Sequence, residues 1–463
     1  MTQGSDQIES VRKAGGAYVL IVALIAASGS FIIGYDIVIM SGAILFLEKE
    51  FDLNDYWYGF AMTSAWIGSF MGMIVGGFVT DRIGRKRTLM LIAILFGVSA
   101  VGTALPRTFF EWNLYRILGG AGVGLAMIVC PMYIAEIAPA RNRGMLVMMY
   151  QIAQVTGAFL SNVTAWGIAE IENISHWRWM FATECVAIGP FLIALTFVPE
   201  SPRWLVQRNR EKEARDILTR IDGPEHAERE LEEISESISQ ESGTFSELFE
   251  TGIRVALLVA VVLGVSQSLS GVSTVIFYAP TILMEAGIAL ETEALKRTVI
   301  LVVWNIACTV CALLIVDRLG RRPMLLCGSL GMALGQLFMG ISFQLDLSPY
   351  YLMAAMFLAI GSFIFSLASI FWVMLSEIFP NRIRARGMMV TVFIKSIAGT
   401  GLNLMFKPML SAFEKAFGTK AGPFWIFAVV CLAAHVFIYF KVPETKGKSL
   451  EEIERFWRTR ENS

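Results

Sequence analysis

Apolar runs of about twenty residues, separated by short polar clusters, recur along nearly the whole chain. A helix of that length crosses the roughly 30 Å hydrocarbon layer of a bilayer. The runs predict about twelve membrane-spanning helices, near residues 17–47, 57–79, 88–106, 112–135, 145–168, 179–198, 254–285, 298–316, 324–344, 350–375, 387–412 and 422–441. The pattern lapses once, over 201–250. There "REKEARDILTRI" and "EHAERELEEISESIS" set spaced leucines and isoleucines among charges, which predicts short amphipathic helices.

Composition supports this reading. Of 463 residues, 55% are hydrophobic and 17% charged, too apolar a balance for several soluble domains with polar surfaces. The net charge of −1 points to no charged partner and gives no sign of nucleic-acid binding. All six cysteines fall in apolar runs and read as small hydrophobes. Cys308 and Cys311 have CxxC spacing but no second pair, so they read as packing residues. The polar N-terminus lacks the short apolar stretch of a signal peptide and is read as part of the mature chain.

Loop charges give the chain a direction. "DRIGRKR" (81–87), "ARNRG" (140–144), "DRLGRRP" (317–323) and "NRIRARG" (381–387) follow even-numbered spans. The opposite loops are mixed or acidic, such as "EKEFDLND" (48–55). The positive-inside bias places the basic side, and both termini, in the cytoplasm. The same loops form a repeat. Asp81, Gly84 and Arg85 match Asp317, Gly320 and Arg321; "AEIAPARNRG" matches "SEIFPNRIRARG"; "PESPRWL" matches "PETKG". Three motifs in one order, after the second, fourth and sixth span of each half, make two homologous six-span halves. Internal repeats of this kind mark secondary transporters, with the substrate site between the halves. The expected organisation is a bundle over 1–200, a helical linker over 201–250, a second bundle over 251–441 and a cytoplasmic tail over 442–463.

One charge breaks the first apolar run: Asp36, in "GSFIIGYDIVIMSGA". Aspartate at a helix centre costs about 2.5–3.5 kcal/mol on insertion scales. Arg116, early in the fourth span, is the partner offered at similar depth, and Glu184 in the sixth span is a second candidate. Two readings fit these residues. The static one is a buried ion pair joining two spans. The functional one is a switch, in which Asp36 takes up a proton when Arg116 moves away; intramembrane ionisable residues favour it. No G-x-x-x-x-G-K-[ST] loop occurs, so nucleotide hydrolysis in this chain is not the driver. Three scattered histidines form no metal or nucleophile–base constellation, which argues against an enzyme.

Through "GYDIVIMSGA", "DRIGRKR", "YRILGGAGVGLAMIVCPMYIAEIAPARNRG", "PESPRWL", "DRLGRRP", "SEIFPNRIRARG" and "PETKG", the chain resembles the major facilitator superfamily. Within it the likeness is to the sugar porter family and its bacterial proton-coupled xylose and hexose symporters. It covers nearly the full length. It implies an all-α integral membrane fold, two pseudo-symmetric six-helix bundles rocking about a central cavity. The proton is the coupling ion, and no cofactor is needed. It implies a monomer in the lipid bilayer of a plasma or bacterial inner membrane, carrying a small sugar-like substrate. Asp36 and Arg116 stand at the coupling positions. Arg85, Glu136, Arg143, Glu200, Arg321, Glu377, Arg384 and Glu444 stand where the family has a cytoplasmic latch. Gln151, Gln267, Asn305 and Trp372 stand where it binds sugar, although each alone also reads as an interhelical packing residue.

The departures fall in the substrate site. Where the family has a second glutamine and an asparagine in the seventh span, this chain has Ser268 and Ser273. Ile33 replaces an aromatic before "GYD", and Ala368 and Ser369 replace the Gly-Pro break of the tenth span. Lys395 occupies the place of a glutamine in the eleventh. A neutral sugar or polyol remains the first expectation. Two alternatives stand beside it: an anionic sugar acid anchored by Lys395, and a non-transporting sugar sensor of the same fold.

Overall fold

A bilayer core offers no partner for a backbone N–H or C=O, so an apolar run of spanning length satisfies its own backbone as a helix. The computed structural model describes residues 2–139, 142–240, 245–249, 253–379, 383–444 and 446, and among them all regular structure is helical. Among the described residues twelve stretches are long and apolar enough to span, from Gly16–Phe51 to Gly422–Lys441. The chain is a multi-pass membrane protein.

Two compact units form, Met1–Leu47 with Ser64–Glu241, and Glu48–Thr63 with Ser242–Ser463. The first is built from α1 (Thr2–Phe51), α2 (Asp55–Ile83), α3 (Arg85–Ala104), α4 (Phe109–Ile137), α5 (Arg143–Ala169), α6 (His176–Ala182) and α7 (Cys185–Thr196), followed by α8 (Pro202–Gln207), α9 (Glu211–Asp222) and α10 (Pro224–Gln240). The second holds α11 (Ile253–Leu269), α12 (Val272–Phe277), α13 (Ala279–Glu285), α14 (Glu291–Leu319), α15 (Arg321–Gln344), α16 (Pro349–Phe363), α17 (Ser369–Ile378), α18 (Arg384–Phe417) and α19 (Gly422–Lys441). The end of α1 and the start of α2, over Glu48–Thr63, belong to this second unit.

In the first unit, glycines set the helix spacing. A Cβ on Gly34 would overlap the Gln154 carbonyl, and one on Gly157 would overlap that of Phe31, so α1 and α5 cross backbone to backbone. Gly68 and Gly120 do the same for α2 and α4. Small residues at crossings drive helix association in lipid, where van der Waals contact replaces the hydrophobic effect. Behind them α1, α3, α4 and α7 bury Ala26, Ile33, Phe96, Val129 and Phe191 in one apolar core.

The amphipathic segment packs on itself. Trp204, Leu205, Ala214, Leu218, Ala227 and Leu231 of α8–α10 form a small separate core. Trp204 Nε1 and the Arg208 guanidinium both donate to the Asp81 carbonyl, each at 2.9 Å, which ties α8 to the end of α2.

Three spans that the hydrophobic pattern predicts as continuous are broken. The sixth divides at Thr183–Glu184 between α6 and α7, and the tenth carries a π-helical turn over Ile364–Ala368. The seventh divides at Gly271, whose φ of +73° is left-handed, and again at Tyr278. A side chain on Gly271 would strike the Phe427 ring, and Pro280 has no N–H for the helix ladder. Apolarity alone does not reveal these breaks.

Candidate functional site

The α1–α5 crossing at Gly34 fixes Asp36 two residues later, and the α2–α4 crossing at Gly120 fixes Arg116 one turn earlier. The two side chains meet. Arg116 donates to Asp36 Oδ1 at 2.5 Å and to the Asp36 carbonyl at 3.3 Å, with both residues 1% exposed. The guanidinium lies over the rings of Trp112 and Phe181, 6.0 and 5.3 Å from their centroids. Glu184, at the break in the sixth span, is 3% exposed, and its charged neighbours are Asp36 and Arg116. Tyr35 and Thr183 share a hydroxyl hydrogen bond of 2.7 Å beside them. The three expected coupling residues therefore form one buried cluster. Asp36 Oδ2, Arg116 Nε and Glu184 Oε1 have no hydrogen-bond partner among the described residues. Two carboxylates and one guanidinium balance in charge when one proton is bound.

The expected substrate residues divide between the units. In the first, Gln151 is exposed on α5. In the second, four lie at the meeting of α11, α17 and α18. Gln267 is 4% exposed; its amide donates to the Leu367 carbonyl at 3.0 Å, and its Oε1 has no partner. Leu367 lies in the π turn, so that turn supplies the acceptor. Ser268 Oγ donates to the Lys395 carbonyl at 2.9 Å. The Lys395 ammonium rests over two rings, 5.2 Å from the Phe371 centroid and 5.1 Å from that of Trp372. Phe371 is buried, while Trp372 is 46% exposed. Ser273 is exposed on α12, and Asn305 is half-buried on α14 with Thr309.

At the basic end the sequence repeat becomes a structural one. The Glu200 carboxylate accepts from the amides of Arg85, Lys86 and Ser201 at 2.8–3.0 Å. In the second unit Glu444 accepts from those of Arg321, Arg322 and Lys446 at 2.9–3.1 Å. Glu200 thus caps the N-terminus of α3 and Glu444 that of α15, where free amides and the dipole favour an anion. Gly84 and Gly320, with φ of +93° and +89°, make room for it. Arg85 grips Glu136 through two bonds of 2.9 and 3.0 Å, and Arg321 meets Glu377 at 3.1 Å. Each of these pairs lies inside a single unit, Arg85 with Glu136 in the first and Arg321 with Glu377 in the second. Arg384 donates to the Phe379 carbonyl at 3.4 Å. The Arg143 side chain lies outside the described residues.

Sequence reasoning overlooked several polar contacts. Thr274 Oγ1 donates to Asn403 Oδ1 and Tyr278 to the Asn403 carbonyl, both at 2.7 Å, pinning the broken seventh span to α18. Gln336 donates to the Ser270 carbonyl freed at the Gly271 break. At the other end of the second unit Lys407 Nζ bonds Glu285 at 2.6 Å, lies 3.8 Å from Glu48, and sits 5.0 Å from the Tyr58 ring centroid. Tyr58 is fully buried and shares a 2.7 Å hydroxyl bond with Thr281. Lys407 in an apolar span was the available signal.

Twelve spans in two repeated halves, with broken helices and a buried charge cluster, define a secondary transporter fold. The family described as "Sugar (and other) transporter" matches residues 22–457. The chain belongs to that family. It is 34% identical to the D-xylose-proton symporter of Escherichia coli K12, covering 95% of this chain and 96% of that protein. It is equally 34% identical to the arabinose-proton symporter of Bacillus subtilis 168, covering 98% of each. Among solved structures it is similar to the E. coli xylose transporter XylE in its inward-open conformation, with a TM-score of 0.83 at 33% identity over 95% of this chain and 100% of that one. For XylE bound to 6-bromo-6-deoxy-D-glucose the TM-score is 0.76, at 34% identity over 95% and 99% of the two chains.

Proposed function

We propose that the chain is a secondary active transporter, a proton-coupled symporter of a sugar or sugar-like polyol that works by alternating access. One observation carries the reading: Asp36, Glu184 and Arg116 form a buried cluster whose charges balance with one proton. Such a cluster holds a proton when substrate is bound and releases it when Arg116 returns to Asp36. The named relatives, which are proton symporters of xylose and arabinose, support the same class of substrate and coupling ion. One proton entering down about 100 mV supplies roughly 2.3 kcal/mol, enough for about fifty-fold accumulation of a neutral solute.

In this reading Gln151, Gln267, Ser268, Ser273, Asn305, Trp372 and Lys395 contact the substrate. Amides and hydroxyls match sugar hydroxyls, and the half-exposed Trp372 offers a ring face. Arg85, Glu136, Arg143, Glu200, Arg321, Glu377, Arg384 and Glu444 form the cytoplasmic gate. The functional division is a bundle over 1–200, a linker over 201–250, a bundle over 251–441 and a tail over 442–463. Both termini are cytoplasmic, a monomer suffices, and the chain carries out no catalysis and needs no resident cofactor.

The test is uptake into proteoliposomes under an imposed inward proton gradient. The reading expects accumulation of xylose, arabinose or glucose that collapses with a protonophore, together with counterflow. Saturable binding with neither accumulation nor counterflow would favour a sensor.

A further inference from the structure

The geometry points to Lys395 as the carboxylate-binding group of the substrate site, so that the preferred cargo is a sugar acid, a monoanionic uronate. The inference rests on the reading of the chain as a proton-coupled sugar carrier and deepens it. Lys395 lies within the span Arg386–Phe417, where an unpaired cation is costly. Among the described residues no carboxylate forms an ion pair with it. Lys407, on the same helix, shows the ordinary solution, bonding Glu285 at 2.6 Å.

What Lys395 has instead is a seat. Ser268 holds its carbonyl at 2.9 Å, and α11 runs so close at Gly264 that a Cβ there would lie 3.2 Å from the Lys395 Cβ. The stem leads the ammonium onto Phe371 and Trp372 of α17, away from a course along its own helix to an interface. Ring faces attract a cation and orient it, and they leave its charge uncancelled. A carboxylate arriving there meets a partly dehydrated, prepositioned ammonium, the condition in which a charge-assisted hydrogen bond is strong.

The surroundings fit the rest of a uronate. Trp372 is half exposed, leaving ring surface for a pyranose, whereas Phe371 behind it is buried. The unpartnered Gln267 Oε1, on the turn after Gly264, is an acceptor for a sugar hydroxyl. A monoanion entering with one proton carries no net charge, so its uptake draws on the pH gradient alone.

The experiment uses the full chain in proteoliposomes under an imposed pH gradient, with D-glucuronate, D-glucose and D-xylose as probes. Glucuronate should half-saturate uptake at lower concentration than glucose, and its uptake should carry no current. In Lys395→Gln the glucuronate-to-glucose selectivity ratio should fall at least about tenfold, the scale of one lost charge-assisted bond, while Lys395→Arg should keep most of it. An unchanged ratio in Lys395→Gln would overturn the inference. So would proton-driven uptake of glucose or xylose that glucuronate does not inhibit, and that result would leave the symport reading standing. Absence of proton-driven uptake for all three probes and for arabinose would overturn the symport reading, and this one with it.

Discussion

Asp36 and Lys395 are both charges set in apolar spans, and the chain treats them in opposite ways. Asp36 is enclosed with a guanidinium and a second carboxylate, in a cluster built at two glycine crossings. Lys395 is left with two aromatic rings and no carboxylate among the described residues. The first arrangement meets its charge with other protein side chains, and in the proposed mechanism it changes state by gaining a proton. The second, on the inference drawn above, is completed by substrate. On the proposed reading, a coupling site and a recognition site differ in how their charge is met: by protein groups in one case, by aromatic rings and an arriving substrate in the other.

The largest effect expected from breaking this contrast is at Arg116. Arg116→Ala strands two buried carboxylates and should cost about 3–5 kcal/mol of stability, abolishing transport. Adding Glu184→Gln to that variant should recover part of the loss. Lys395→Gln strands no partner, so thermal unfolding in detergent should place it within about 1 kcal/mol of wild type. Equal destabilisation by Arg116→Ala and Lys395→Gln would break the comparison.

Trp372 comes next. Trp372→Ala removes both the exposed ring face and half of the lysine's seat, and should weaken sugar binding about tenfold or more, measured by counterflow competition. Trp372→Phe should retain part of the affinity. Equal affinity in wild type and Trp372→Ala would make the ring a packing element.

Glu285 sharpens the comparison from the paired side. Burial pushes its carboxyl up, but Lys407 and Lys420 outweigh that and hold it below the ordinary carboxylate range. A lowered carboxylate contributes stability that is fully present above the unfolded value and lost as pH falls through the folded one. The stability gap between wild type and Glu285→Gln should therefore be flat above about pH 4.5 and close below it. A gap that instead closes on raising the pH from 5 to 8 would assign the wrong sign. The smallest expected effects are at the repeated caps. Glu200→Gln and Glu444→Gln should each cost about 0.3–1 kcal/mol, and by similar amounts, because each caps one helix through the same backbone amides.

Much of this was legible in the sequence because lipid makes apolarity and charge unambiguous. The twelve spans follow from run length, and Asp36, Arg116 and Glu184 stand out as charges in apolar text. The repeated glutamates Glu200 and Glu444 could be paired from their motifs, but their role as caps depends on the left-handed turns at Gly84 and Gly320. The breaks at Gly271 and at the π turn were hidden, since a glycine in an apolar run is ordinary and the deciding contact is Phe427, far along the chain. Lys395 was visible as a departure. Its seat on Phe371 was not, because aromatics beside a lysine leave no spacing signature.

The most direct measurement of the coupling role compares two assays on one variant, Asp36→Asn, reconstituted in proteoliposomes with the same sugar. Loss of pH-gradient-driven accumulation with counterflow retained is predicted, because the proton switch is gone while the substrate site remains. Accumulation by Asp36→Asn at the wild-type level would contradict the account.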